Sequence, residues 1–314
     1  MSKSRLPQSR IFDPIFSFTF AFAENFLYNP GINLGLERTI YDSQLYRRSR
    51  SGQDRGQRPV LSLDKDRTPY IPDHCRNRCL VLTALGDSQY ELDCSEESFD
   101  TFWRSYLDLD EDYARIRARI DPKSDPFLSL AAENEKGIRI LRQDPWEMLV
   151  TFIISQNRNI PAIRRSVELL AQQCGQKRED SRGEVYYAFP KPEAVAALSE
   201  EDLNRCRLGY RCRYVHAAAL SVLRGEISLE PLRDADEETT LAALTGLLGV
   251  GVKVANCVSL FGLHHLNAFP RDVWVNRVLA REYPKGYPFE AYSPYNGIYQ
   301  QYMFAWYRHR GEQA

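Results

Sequence analysis

The segment Leu244–Ala255, LTGLLGVGVKVA, constrains this chain more than any other stretch. It reads as two helices joined by a short turn with glycines at 249 and 251. Glycine takes backbone courses that residues with a Cβ resist, so a tight hairpin fits here. The second helix then starts with free N–H groups near Val250, Gly251 and Lys253. Those donors and the positive end of the helix make an anion site suited to a phosphate. No large side chain blocks it, so a DNA backbone can come close. The plainer reading is a glycine turn that only packs two helices together.

Two residues sharpen the first reading. Lys253 lies in the first turn of the second helix, facing the same anion site. Nineteen residues on, Asp272 follows Phe269, Pro270 and Arg271 and precedes Val273, Trp274 and Val275. That order predicts Asp272 as the N-cap of the next helix. Hydrogen bonds from backbone N–H groups favour an ionised carboxylate. A fixed carboxylate facing a lysine amine suits cleavage of an N-glycosidic bond. The amine attacks the anomeric carbon, and the carboxylate stabilises the cationic transition state. The amine must be neutral when it attacks, which burial and the helix end favour and the Asp272 charge opposes. A surface lysine and a simple cap aspartate would explain either residue alone, but not their joint occurrence with the hairpin.

Charge narrows how such a chain could hold DNA. The 314 residues carry 41 basic and 42 acidic side chains, a net charge of −1, so this is no uniformly basic coat. Contact must come from backbone amides or a local patch, and Arg205, Arg207, Arg211 and Arg213 form one. The seven cysteines (75, 79, 94, 174, 206, 212 and 257) are odd in number and scattered, and no CxxC pair occurs. Reduced thiols in a cytoplasmic compartment are expected. His74, Cys75, Cys79 and Cys94 have no common zinc spacing. Phe16–Ala23 alternates phenylalanines at period two and is read as a half-buried strand, not a targeting signal or a membrane span.

Residues 1–112 read as a smaller β-rich domain. Frequent glycines and prolines exclude a long helix there. Arg47–Arg58 reads as an exposed basic loop, and Val60–Leu63 and Cys79–Leu85 as short strands. Asp87–Asp112 carries ten acids against Arg104 alone and is read as a solvated acidic face and linker. Residues 113–314 read as helical. Asp144 before Pro145 opens an apolar-periodic stretch that runs to Cys174, with Gly175 as its stop. Further helices are expected from Ser199, over 213–224, 239–248, 253–263 and 273–283, and over 297–308. The fold class is therefore α+β: a mostly helical domain after a smaller β-rich one.

Five separated motifs carry a family resemblance: LRQDPWEML with FIISQNRNIPAI, LGYRCRYV, LLGVGVKVANC, FPRDV and GIYQQYMF. Over roughly residues 90–308 the chain resembles the 8-oxoguanine DNA glycosylase/AP lyase branch of the helix-hairpin-helix glycosylase superfamily. The iron–sulfur cysteine cluster of a sister branch is absent, since no cysteine follows Cys257. The resemblance implies Lys253 as Schiff-base nucleophile and Asp272 as catalytic carboxylate. It places Gln300 on the edge of the flipped base, between Cys257 and Phe304. It gives Asn157, with Arg211 beside it, the estranged cytosine. Tyr210 becomes the wedge in the stack, as expected when a base must leave the duplex. Gly249 and Gly251 belong to the DNA-binding hairpin.

The implied activity is excision of oxidised purine, 8-oxoguanine opposite cytosine, from duplex DNA by a monomer. No metal or organic cofactor and no membrane are implied. Two departures stand out. Ala162 replaces a second cytosine-reading arginine, and the family's amino-terminal Gly-Gln-x-Phe-Arg-Trp motif is missing from residues 28–78. That motif supplies the carbonyl that recognises the N7 hydrogen of 8-oxoguanine. An alkylated-base glycosylase of the same superfamily remains an alternative, although Lys253 argues against it. So does a catalytically silent DNA-binding module, which intact Lys253 and Asp272 oppose.

Overall fold

Short polar side chains set most of the helix starts in this computed structural model, which describes residues 60–62, 70–73, 78–86, 89–180, 183 and 185–310. After a helical run over 96–106, the chain forms α1 (Tyr113–Arg117) and α2 (Pro126–Asn134), followed by α3 (Pro145–Ile154) and α4 (Ile160–Cys174). Next come α5 (Pro192–Ala196), α6 (Glu200–Arg205), α7 (Cys212–Leu223) and α8 (Glu237–Thr245). The last four are α9 (Val252–Phe261), α10 (Val273–Glu282), α11 (Phe289–Tyr292) and α12 (Asn296–Arg310). Asp112, Asp125, Asp144, Asn159, Ser199, Asp236 and Asp272 each accept a first-turn N–H at the start of α1, α2, α3, α4, α6, α8 and α10. Each such cap is worth roughly 0.5–2 kcal/mol.

Two apolar clusters meet along helices α3 and α9. The first gathers α3, α4, α7 and α8 around Leu149, Ile153, Leu170, Val215 and Leu244. The second gathers α2, α10 and α12 around Leu128, Val278, Tyr299 and Met303. Helix α9 serves both: Val254, Ala255 and Val258 enter the first, and Cys257, Leu260 and Phe261 the second. Eight consecutive residues of α9, Val254–Phe261, are buried. Its first residues, Val252 and Lys253, are exposed. The lysine thus stands at the open end of a helix that is otherwise buried.

The sheet strands are β1 (Val60–Ser62), β2 (Tyr70–Asp73), β3 (Arg78–Gly86) and β4 (Gln89–Leu92), antiparallel in the order β1-β4-β3-β2. A register shift interrupts the β3–β4 pairing between Ala84 and Gly86. A separate hairpin pairs β5 (Lys177–Glu179) with β6 (Val185–Tyr187). Phe16–Ala23, Arg47–Arg58, His74 and Cys75 lie outside the described residues. Among the described residues no helix is long and apolar enough to cross a membrane, and no cluster of His, Cys, Asp and Glu is placed to hold a metal. Cys94, Cys174, Cys206, Cys212 and Cys257 are free thiols.

Several sequence expectations need correction. The stretch 145–174 is two helices, because the chain turns through Asn157 at φ 51° and restarts at the Asn159 cap. The helix expected over 239–248 begins earlier, after the Asp236 cap, and ends at Thr245. Gly175 does end α4, but in an extended conformation. The acidic stretch is no simple solvated linker. Phe99, Phe102, Trp103, Tyr106 and Leu107 are buried in a third cluster with Leu80, Leu92 and Leu141. Asp108 is also buried and accepts from Tyr113 Oη at 2.9 Å, Arg142 Nε at 3.0 Å and His264 Nε2 at 3.1 Å. Burial alone would raise the Asp108 carboxyl, yet His264, Arg142 and Tyr113 hold it below its ordinary range.

Candidate active site

The hairpin is closed by backbone contacts and seated on a tyrosine. Leu247 N–H donates to Leu244 O, and Val250 N–H to Leu247 O. Gly249 has φ +80°, the left-handed region. A Cβ there would lie 2.4 Å from the Tyr214 ring. Both facts require glycine at 249. Gly251 differs from expectation: its φ is −92° and ψ 174°, a course open to any residue. A Cβ at 251 would meet no protein atom within 4 Å. The fold itself therefore gives no reason for glycine at 251. What its absent Cβ leaves open is the approach from outside to the start of α9.

That start carries no side-chain cap. Seven other helices are capped by a side chain, so here the first-turn amides stay available to an external anion. We expect Gly249→Ala to lower stability by about 2–4 kcal/mol. The left-handed backbone costs roughly 1–2 kcal/mol and the ring overlap about as much again. Urea unfolding of the variant beside Gly251→Ala checks this. Equal stability of the two would show that Tyr214 yields freely.

Lys253 and Cys257 are one helical turn apart, on one face of α9. Burial pushes the Cys257 thiol up, while the Lys253 ammonium pulls it down and the Asp272 charge acts with burial. The Lys253 ammonium also lies 5.7 Å from the centroid of the Phe152 ring, which stacks on Phe261 at 5.5 Å. The expectation that burial helps to neutralise Lys253 is not met, since the residue is exposed. Asp272 caps α10 as expected, accepting from Val275 N–H at 2.7 Å.

Asn256, a residue the sequence reading passed over, ties these two parts together. Its Nδ2 donates to Val252 O at 2.9 Å, and its Oδ1 accepts from Phe269 N–H at 3.2 Å. The start of α9 is thus fixed to the segment that leads into Asp272. An amide buried beside a catalytic-looking lysine was the available sequence signal.

The residues assigned to the flipped base lie on α12. Gln300 is buried, and its Oε1 accepts from Gln301 Nε2. Phe304, one turn on, is half-buried and packs against the same apolar cluster that holds Cys257.

A second group forms one surface with the hairpin. Gln156 Nε2 donates to Gly249 O at 3.0 Å. Asn157 is exposed. Tyr210 is half-exposed and meets Tyr214, under the hairpin, edge-on at 5.8 Å. Arg211 is placed differently from its neighbours in the basic cluster. It is buried, with Nε donating to Gln156 O at 2.9 Å and Nη1 to Leu208 O at 3.2 Å, and it stacks on the Tyr210 ring at 4.3 Å. Its guanidinium holds the Asn157 turn and the Tyr210 ring in place. Arg205 is paired with Glu201 and Asp202. Of that cluster, Arg207 and Arg213 are exposed and have no acidic partner among the described ion pairs.

Comparison with known proteins matches two consecutive stretches of the chain, which meet at residues 149 and 150. The family profile described as the 8-oxoguanine DNA glycosylase, N-terminal domain, matches residues 39–149. The profile of the HhH-GPD superfamily of base excision DNA repair proteins matches residues 150–285. The first match enters the stretch 28–78 that the sequence reading found atypical. Over 218 residues the chain is 31% identical to an N-glycosylase/DNA lyase of Saccharomyces cerevisiae, covering 66% of this chain and 56% of the yeast protein. An Arabidopsis thaliana N-glycosylase/DNA lyase is 36% identical over 157 residues, covering 49% of this chain and 43% of the plant protein. The chain thus spans about half the length of these curated relatives. An 8-oxoguanine glycosylase/lyase of Clostridium acetobutylicum, solved with duplex DNA containing cytosine opposite 8-oxoguanine, superposes with a TM-score of 0.68 at 31% identity. That match covers 75% of this chain and 83% of the bacterial one.

Proposed function

The chain belongs to the 8-oxoguanine DNA glycosylase family of the helix-hairpin-helix base excision repair superfamily, and from that premise we propose that it is a bifunctional DNA glycosylase/AP lyase for oxidised purine. The substrate we assign is 8-oxoguanine opposite cytosine in duplex DNA. The observation that carries the proposal is Lys253 in the first turn of an uncapped helix whose start is tied through Asn256 to the segment leading into the Asp272 cap. We further propose a β-rich domain over residues 1–112, a glycosylase domain over 113–314, and a monomer at work in the cytoplasm.

The chemistry follows from the arrangement. The first-turn amides of α9 and the hairpin glycines hold a phosphate of the lesion strand, and bound DNA then covers the exposed lysine. Tyr210 enters the stack where the base leaves it, and Asn157 meets the orphaned cytosine. Cys257 and Phe304 take the two faces of the flipped base, and Gln300 takes its edge. The neutral Lys253 amine forms a bond to the sugar C1′. The N-glycosidic bond breaks and the base leaves with the bonding pair. Asp272 offsets the positive charge that develops on the sugar. Ring opening gives a Schiff base, from which the 3′ phosphate departs by elimination.

Cys257, Gln300 and Phe304 can stack on and bond a purine, but nothing in that set reads the N7 hydrogen that separates 8-oxoguanine from guanine. The expected amino-terminal reader motif is missing from the sequence. One such hydrogen bond is worth about 0.5–1.5 kcal/mol, at its upper end roughly a tenfold loss of discrimination. Abasic sites, which need only Lys253 and the flipped sugar, should therefore be cleaved faster than 8-oxoguanine is excised. Single-turnover rates on the two duplexes test this. Equal rates with guanine untouched would show that residues 1–78 build the reader by another route.

A further inference from the structure

Helix α10 begins at Asp272 and continues as a cationic, aromatic face that the proposed chemistry does not use. Trp274 lies between two guanidiniums, with Arg277 Cζ 5.0 Å and Arg308 Cζ 5.4 Å from the indole ring. One turn further on, Arg281 Cζ lies 5.9 Å from the Tyr307 ring. Arg271, just ahead of the helix, is held by Nε donating to Asn276 Oδ1 at 3.0 Å. Positions 271, 274, 277 and 281 repeat at helical spacing, and the buried Val275, Val278 and Leu279 take the other side. Arg271, Arg277 and Arg281 are exposed. Asp272 caps the helix, and Glu282 pairs with Arg281 at 3.5 Å.

A guanidinium stacked on a ring has its flat face occupied and its N–H edge directed outward. That edge is the part that grips a phosphate in two parallel hydrogen bonds. Stacking also fixes the side chain before any ligand arrives, so less freedom is lost on binding. In a chain of net charge −1 such a strip is a local exception. It starts at the residue assigned to the sugar of the lesion and runs about 13 Å along the helix.

We propose that Arg271, Trp274, Arg277, Arg281 and Arg308 form a second DNA-backbone site, which takes the phosphates of the lesion strand next to the reacting nucleotide. This rests on the glycosylase reading for its choice of strand. It adds a second cationic face on α10 and α12 to the first patch, of which Arg205 is paired and Arg211 buried while Arg207 and Arg213 are exposed.

The test is the salt dependence of binding to a duplex with a tetrahydrofuran abasic analogue, for the wild type and Arg277→Gln/Arg308→Gln. Each phosphate neutralised adds about 0.9 to the slope of log affinity against log salt. Loss of two contacts should make the variant about tenfold less sensitive than the wild type between 50 and 200 mM salt. The single Arg277→Gln, exposed on the helix, should show about half of that change in slope if the double variant is poorly folded. Arg224→Gln, which removes an exposed charge elsewhere, should leave the slope unchanged. Neutral methylphosphonates at three phosphates beside the analogue should remove the difference between wild type and variant when placed in its own strand, not in the opposite one. Equal slopes for wild type and variant overturn the site, and an effect confined to the opposite strand overturns the assignment. These readings need no chemistry. Failure of the glycosylase reading would appear separately, as a wild-type protein that binds but forms no borohydride-trapped adduct.

Discussion

Lys253→Gln should bind lesion duplex with close to wild-type affinity yet give no borohydride-trapped adduct and no strand cleavage above background. Lys253 is exposed, and exposed substitutions usually change stability by no more than about 0.5 kcal/mol. The anion site it borders is built from backbone amides, which glutamine leaves in place. The loss would therefore report on the amine alone. A second readout follows from the thiol. Burial pushes Cys257 up and Lys253 pulls it down, so removing the ammonium should move the thiol higher still. Thiol alkylation against pH measures that shift. An adduct of undiminished yield from this variant would remove Lys253 from the mechanism.

Asp272→Asn should bind DNA and fold normally but turn over about 10²–10³-fold more slowly. Asparagine caps a helix about as well as aspartate, so the bond to Val275 N–H and the start of α10 should survive. What disappears is the negative charge facing the developing cation. Removing one strong electrostatic stabiliser costs on the order of 10²–10³ in rate. Single-turnover excision at saturating protein measures it. A loss below about fivefold would reduce Asp272 to a cap. An equal loss in DNA affinity would show that the carboxylate positions the hairpin and does not act on the sugar.

The parts of this site that could be read from the sequence are those set within one helical turn. The glycine at 249, the Asp–Pro start of α3 and the capping aspartate at 272 are all local signals, and the structure places them where the pattern puts them. The parts that could not be read depend on partners far along the chain. Nothing near Arg211 announces that its guanidinium bonds to Gln156 O, 55 residues away. Tyr214 looks like an ordinary helical aromatic until the hairpin sits on its ring. The acids around Asp108 suggest a solvated stretch, since its partners Arg142 and His264 belong to other segments. The burial of Lys253 was misjudged for a related reason: its helix is buried from Val254 onward, and the pattern does not show on which residue the surface begins. Charge is legible only in part: of four arginines close in sequence, Arg207 and Arg213 are exposed, but Arg205 is paired and Arg211 buried by partners the sequence does not mark.

A lysine at the mouth of the hairpin is proposed to form the covalent intermediate. The most direct test is to incubate the unaltered protein with an 8-oxoguanine duplex in borohydride, digest the trapped complex and sequence the DNA-bearing peptide by mass spectrometry. A single modified residue is expected, Lys253, in the peptide that contains Gly249 and Cys257. Modification at any other lysine, or base release with no adduct at all, would contradict it.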